Sequence, residues 1–240
     1  MRQETNQGFL SSSLPLARGI AAVMIDLDGT LLDTVPDLAA AAARMLAALD
    51  LPARTQEEIR SFIGKGIPNL VQRCLQGRAG ARAEALQAEA LALFQGFYFE
   101  ESGRRTTLYP GVLEGLERFR AMHLRLACVT NKAARFTLPL LEQTGLAPWF
   151  ELVVSGDALP RKKPDPMQLA HICAEFALPP AQVLLIGDSA NDALAARAAG
   201  CPVLCVSYGY NEGGEVHNLD CDAIVESLSE AADILQSIRS

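Results

Sequence analysis

Val23-Met24-Ile25-Asp26-Leu27-Asp28-Gly29-Thr30 is an apolar run that ends in two carboxylates separated by one residue. Carboxylates at the end of a buried strand resist desolvation unless a cation offsets them. The pair is therefore a poor stabiliser and a good place to hold a metal and do chemistry. Gly29 permits an immediate turn after the strand, which brings Asp26 and Asp28 to one mouth. The spacing suits one nucleophile and one proton carrier.

Outward from this run, apolar stretches at 21–25, 124–129, 152–154, 183–186 and 203–206 read as buried parallel strands, several without period-two alternation. Helical patterns at 112–122, 133–144, 167–176 and 190–199 lie between them, which predicts an α/β fold with a doubly wound parallel sheet. About a hundred residues separate the first strand from the second, far more than one crossover needs. Helical runs at 36–49, 55–62, 67–75 and 82–101 fill that gap, so an all-helical insert is expected to leave after Leu32-Asp33 and return near Tyr109-Pro110-Gly111. The expected organisation is a flexible tail over 1–18, a core over 19–33 and 106–240, and a helical cap over 34–105. Residues 222–225 read as one more edge strand before a last helix at 228–238.

Polar clusters follow four of the strands, at the sheet edge where ligands bind in open α/β folds. They are Asp26 and Asp28; Thr130-Asn131-Lys132; Arg161-Lys162-Lys163-Pro164-Asp165-Pro166; and Gly187-Asp188-Ser189-Ala190-Asn191-Asp192. Carboxylates converging there repel one another unless a hard divalent cation with oxygen ligands joins them, and Mg²⁺ fits because it retains positions for water and phosphate oxygens. A hydroxyl, an amide and a lysine suit a phosphoryl group.

Composition narrows the partners. With 21 Lys and Arg against 28 Asp and Glu, the net charge of −7 disfavours nucleic acid and anionic membranes. Half of the residues are apolar, enough for a sizeable core, yet no run is long and uncharged enough to cross a membrane. The 6 cysteines form no Cys-x-x-Cys pair and read as reduced thiols of a cytoplasmic protein. Oligomeric state is open between monomer and homodimer.

In their order and context, Asp26-Leu27-Asp28-Gly29-Thr30, Thr130-Asn131, Lys163-Pro164-Asp165-Pro166 and Gly187-Asp188-Ser189-Ala190-Asn191-Asp192 resemble the motifs of the haloacid dehalogenase superfamily. The resemblance implies a Rossmann-like core and a Mg²⁺-dependent phosphomonoester hydrolase working through an aspartyl-phosphate. Asp26 would be the nucleophile and Asp28 the acid and base. Thr130 and the backbone after it, at Asn131, would meet the phosphate, and Lys163 would neutralise developing charge. Asp26, Asp188 and the backbone carbonyl of Asp28 would hold Mg²⁺, with Asp192 in a supporting acidic shell. Members that expel halide lack a carboxylate at the position of Asp28, so the resemblance is to the phosphatases.

The insert resembles the cap of subclass I. Asp33-Thr34-Val35-Pro36-Asp37-Leu38, Phe62-Ile63-Gly64-Lys65-Gly66 and Leu108-Tyr109-Pro110-Gly111-Val112 are most similar to the branch acting on 2-phosphoglycolate. Lys65 is the candidate cation for that substrate's carboxylate. The alternatives are a phosphatase for another small ester, a β-phosphoglucomutase-like phosphotransferase, and a non-catalytic binding protein on this fold.

Overall fold

The computed structural model describes residues 19–239, so the tail read over 1–18 lies outside the described residues. The chain enters through β1 (Ala22–Ile25), turns at Gly29 and forms the short β2 (Leu32–Asp33). Helices α1 (Val35–Ala48), α2 (Gln56–Arg60), α3 (Ile67–Leu75) and α4 (Ala83–Glu101) follow, before β3 (Thr107–Leu108) runs back antiparallel to β2. Strands and helices then alternate through α5 (Val112–Ala121), β4 (Arg125–Val129), α6 (Ala134–Gln143), β5 (Leu152–Val154) and α7 (Met167–Glu175). The chain ends in β6 (Val183–Gly187), α8 (Ala190–Ala199), β7 (Val203–Val206), β8 (Ala223–Val225) and α9 (Leu228–Arg239).

The six-stranded sheet has the order β5-β4-β1-β6-β7-β8, and all of its ladders are parallel. The chain builds outward from β1 on one side through β4 and β5, then crosses to build the other side through β6, β7 and β8. That reversal opens a crevice at the carboxyl end of β1, where Asp26 stands.

Both faces of the sheet are covered, which explains the strands' unbroken hydrophobicity. Val23 and Ile25 face a cluster with Leu116 and Phe119 of α5 and Leu228 and Leu235 of α9. Met24 faces the opposite cluster, with Leu169 and Ile172 of α7 and Ala195 and Ala196 of α8. The six cysteines are free thiols, and five of them are buried. No helix among the described residues is long and apolar enough to cross a membrane.

The helices between β2 and β3 bury a cluster of their own, centred on Met45, Leu46, Ile59, Val71, Phe94 and Tyr98. Two rings from outside the insert, Phe136 and Tyr210, complete it. Local signals place the helices. Pro36 occupies the first turn of α1, and Thr55 with Glu58 forms a reciprocal capping box at α2.

The β2–β3 ribbon, too short to carry a periodicity, has no counterpart in the sequence reading. Its return limb is held by Asp37, a fully buried carboxylate on α1. Asp37 accepts hydrogen bonds from the backbone N–H groups of Gly103 (2.9 Å), Arg105 (2.9 Å) and Thr106 (3.1 Å) and from the Thr106 hydroxyl (2.8 Å). Asp37→Ala leaves these donors without their acceptor and is expected to cost about 3 kcal/mol of stability in urea denaturation. It is also expected to make the 103–106 segment the first point of proteolytic cleavage. An unchanged midpoint would refute this role.

Candidate active site

Asp26 follows the last residue of β1, and its backbone N–H donates to the Ile186 carbonyl (3.0 Å). Lys163, on the loop after β5, sends its ammonium into this strand end. It donates to Asp26 Oδ1 (2.8 Å), Asp192 Oδ1 (2.6 Å) and the Val129 carbonyl (2.9 Å), with no more than 3 % of the residue exposed. Gln168 of α7 fastens that loop. Its Oε1 accepts from the Lys163 N–H (3.1 Å), and its Nε2 donates to the carbonyls of Thr130 and Ser155 (both 3.1 Å).

Asp192 lies in the first turn of α8, where its Oδ2 accepts from the Ser189 N–H (3.2 Å) and hydroxyl (2.7 Å). A Cβ at Gly187 would lie 2.3 Å from Asp192 Cγ, so only glycine lets strand β6 pass this carboxylate. Asp188 accepts from the Thr30 hydroxyl (3.1 Å) and the Tyr210 N–H (2.7 Å). Gly29, at φ +94°, would press a Cβ to within 2.4 Å of Asp188 Oδ2.

Oxygen atoms of Asp26, Asp188 and Asp192 lie within 4.8 Å of one another. Burial, then repulsion from Asp192 and Asp28, pushes the Asp26 carboxyl up to about 7, although Lys163 opposes the rise. Burial, followed by the charges of Asp192 and Asp26, holds Asp188 well above the usual carboxylate range. For Lys163, burial works against the charge, but Asp192 and Asp26 outweigh it and lift the ammonium above its ordinary value. Three buried carboxylates with one ammonium form an all-oxygen donor set with excess negative charge, which fits a hard divalent cation.

Asp28 points elsewhere. Its oxygens take the Lys132 ammonium (2.9 Å to each) and the Thr34 hydroxyl (2.7 Å). Its side chain is therefore outside the three-carboxylate cluster, and only its backbone carbonyl remains for the expected metal role. Lys132 is buried, 4.9 Å from the centre of the Tyr98 ring, and its charge is reinforced by Asp28 against the cost of burial.

The remaining candidates divide. The Thr130 hydroxyl accepts from the Lys132 N–H (3.2 Å) and faces the pocket. Asn131 lines the pocket too, but its Nδ2 donates to the carbonyls of Gly64 (2.9 Å) and Lys163 (2.8 Å). Both amide hydrogens are spent, and the buried Oδ1 that remains has the wrong sign for a phosphate oxygen. The Asn131 side chain thus bridges the insert's loop to the Lys163 loop, and it is the backbone after Thr130 that is left for the expected phosphate contact. Lys65 is exposed, and its neighbours Gly64 and Gly66 line the pocket instead. The Lys65 carbonyl accepts from Lys162 Nζ (3.0 Å).

The pocket encloses about 530 Å³ with its mouth included. Asp26, Asp28, Lys132 and Lys163 form its polar floor, and Leu38, Ile63, Ile67 and Leu70 of the insert its apolar roof. Lys132, Thr34, Gln168 and Tyr210 are the site's supports that the sequence reading left without roles. Lys132 carried the one available signal, since it ends the Thr130-Asn131-Lys132 cluster.

The model of a haloacid dehalogenase-like hydrolase family matches residues 20–200. The chain belongs to that family. Among its haloacid dehalogenase-like relatives, a phosphoglycolate phosphatase of Thiobacillus denitrificans is 54% identical over 92% of this chain and 96% of its own length. A phosphoglycolate phosphatase of Nitrosospira multiformis is 56% identical over 90% and 96%. A crystal structure from Haemophilus somnus, described as a predicted phosphoglycolate phosphatase, superposes with a TM-score of 0.84 at 32% identity, covering 90% of this chain and 97% of that one. This haloacid dehalogenase-like hydrolase is an enzyme of the phosphatase class, and the reading as a non-catalytic binding protein is set aside.

The raised Asp26 pKa has a sign that can be tested. Between the unfolded value of 3.8 and the folded value of about 7, the native protein binds more protons than the unfolded chain, so this group's contribution to stability falls as pH rises through that window. In chelator, the melting temperature of the wild type relative to Asp26→Asn is expected to fall across that window and then level off. Added divalent cation is expected to reverse the fall. A pH-independent difference would contradict the assignment.

Proposed function

We propose that this phosphatase is a Mg²⁺-dependent phosphomonoesterase that works through an aspartyl-phosphate and hydrolyses 2-phosphoglycolate to glycolate and phosphate. The observation that carries the reading is the separation of two carboxylates one residue apart into different surroundings. Asp26 sits in the acidic cluster against Lys163, while Asp28 sits outside it against Lys132 and Thr34. One is held as a nucleophile, the other as a proton carrier.

In this reading an Asp26 oxygen attacks phosphorus as the bond to the alcohol oxygen breaks, and Asp28 gives that oxygen its proton. Asp28 then accepts a proton from the water that attacks the aspartyl-phosphate. The bond from Asp26 to phosphorus breaks, phosphate leaves, and Asp28 is again protonated. Lys163 offsets charge at Asp26 in both steps, and the Thr130 hydroxyl and the backbone after it face the phosphoryl oxygens. Asp26, Asp188 and the Asp28 carbonyl would hold Mg²⁺, with Asp192 supporting, and the bound cation would screen the phosphoryl charge.

Residues 34–105 act as a cap on the core formed by 19–33 and 106–240, closing the apolar roof over a small substrate. Support for 2-phosphoglycolate comes from the relatives of that name at 54% and 56% identity. Its carboxylate needs a cation beside the leaving oxygen, hence beside Asp28. Lys132 meets that requirement better than the exposed Lys65, because it lines the pocket and already touches Asp28. The free cysteines accord with a cytoplasmic protein.

Phosphate release is expected to be strongest on 2-phosphoglycolate in a panel of small esters, to vanish in chelator and to be lost in Asp26→Asn. Preference for another ester would overturn the substrate, and turnover in Asp26→Asn would overturn the mechanism. Lys132→Met is expected to lower kcat/KM for 2-phosphoglycolate at least tenfold more than for 2-hydroxyethyl phosphate, about 1.4 kcal/mol of discrimination. Lys65→Ala is expected to leave that ratio within about twofold. Equal losses on the two esters in Lys132→Met would exclude Lys132 as the carboxylate anchor.

A further inference from the structure

The loop after β7 carries none of the side chains given catalytic roles above, yet its backbone packs directly on the acidic cluster. The Tyr210 N–H donates to Asp188 Oδ2 at 2.7 Å, and a Cβ at Gly209 would stand 2.1 Å from Asp188 Cβ, so the loop backbone lies directly on this carboxylate. The carbonyl of the same 209–210 peptide unit points the other way. It accepts from Arg60 Nη2 at 3.2 Å, and the neighbouring Tyr208 carbonyl accepts from that nitrogen at 2.8 Å. Arg60 closes the last turn of α2 in the insert, and its guanidinium lies 5.0 Å from the centre of the Tyr210 ring.

One peptide plane thus has a cation from the insert on its oxygen and a carboxylate of the core on its nitrogen. Two bonds on one peptide fix its rotation, and a positive charge at the carbonyl polarises the N–H and strengthens what it donates. The Tyr210 side chain holds the loop to the insert a second time. Its hydroxyl accepts from the Thr34 N–H (2.8 Å) and donates to Asp33 Oδ1 (3.0 Å), at the point where the chain enters α1.

We infer that Arg60 is a positioning residue for the acidic cluster: by gripping the carbonyl side of the 209–210 peptide, it sets the N–H that orients Asp188. Through it, the seating of the insert on the core is coupled to the strength with which the core holds its cation. The inference rests on the proposed reading of Asp26, Asp188 and the Asp28 carbonyl, with Asp192 in support, as a divalent-cation site. Arg60 itself lies outside the pocket lining, so its influence on cation binding runs through Asp188.

The test is calorimetric titration of Mg²⁺ and of Mn²⁺ into substrate-free, full-length protein, for wild type, Arg60→Gln, Arg60→Lys and Asp188→Asn, with melting temperatures measured in chelator. Arg60→Gln is expected to weaken cation binding about tenfold, the low end for residues that orient a metal ligand. Arg60→Lys, which still donates to the two carbonyls, is expected to recover most of that loss. Equal cation affinity in wild type and Arg60→Gln would overturn the inference. So would a lysine variant as weak as the glutamine variant despite an unchanged melting temperature. If Asp188→Asn binds the cation as tightly as the wild type, the cation site itself is misassigned and the inference falls with it.

Discussion

The Lys163 ammonium, buried between Asp26 and Asp192, is the contact on which the site depends. Without it, three carboxylates would meet at one strand end with nothing from the protein to balance them. With it, the cluster keeps enough negative charge to attract a divalent cation and enough compensation to fold before one arrives. Three elements converge on this one nitrogen: the end of β1, the end of β4 and the first turn of α8. Gln168 then locks the loop to the carbonyls of Thr130 and Ser155, so the lysine's aim is set by packed backbone and not by its own flexible stem.

The second ion pair, Lys132 with Asp28, works beside the first without sharing it. Two residues apart along the chain, Asp26 and Asp28 answer to different ammonium groups, and Asp28 takes the Thr34 hydroxyl as well. This division places neighbouring residues of one chemical type in two different surroundings. The glycines around them are equally specific. Gly29, Gly187 and Gly209 each bring backbone to within a Cβ's width of a carboxylate, so Asp188 and Asp192 have almost no room to swing.

Much of this was legible in the sequence. The apolar runs, several without alternation, announced strands covered on both faces, and the polar clusters behind them announced the sheet edge at which the charged residues gather. Asp26, Lys163, Asp188 and Asp192 converge because parallel strands of a doubly wound sheet bring their carboxyl ends together whatever their distance in sequence. What could not be read were contacts set by tertiary packing alone. Lys132 reaches Asp28 across 104 positions, and Tyr210 reaches Thr34 across 176. The ribbon of β2 and β3 has two residues per strand, too few for any pattern. Lys65 illustrates the opposite difficulty: its place between two glycines suggested a ligand, but it is the two glycines that line the pocket, while the lysine is an exposed residue.

The apolar cluster of the insert borrows Phe136 and Tyr210 from the body of the molecule. An insert built this way could not lift as a self-contained piece, because lifting would wet two aromatic rings as well as the roof over the pocket. At about 25 cal/mol per Å², exposing much of two such rings costs on the order of a few kcal/mol. In the reading of the insert as a cap, the balance between an open and a closed form would therefore lie toward the closed one. Since the attraction of apolar surfaces weakens on cooling, such a cap would be freest to rise in the cold and held more firmly as the protein warms.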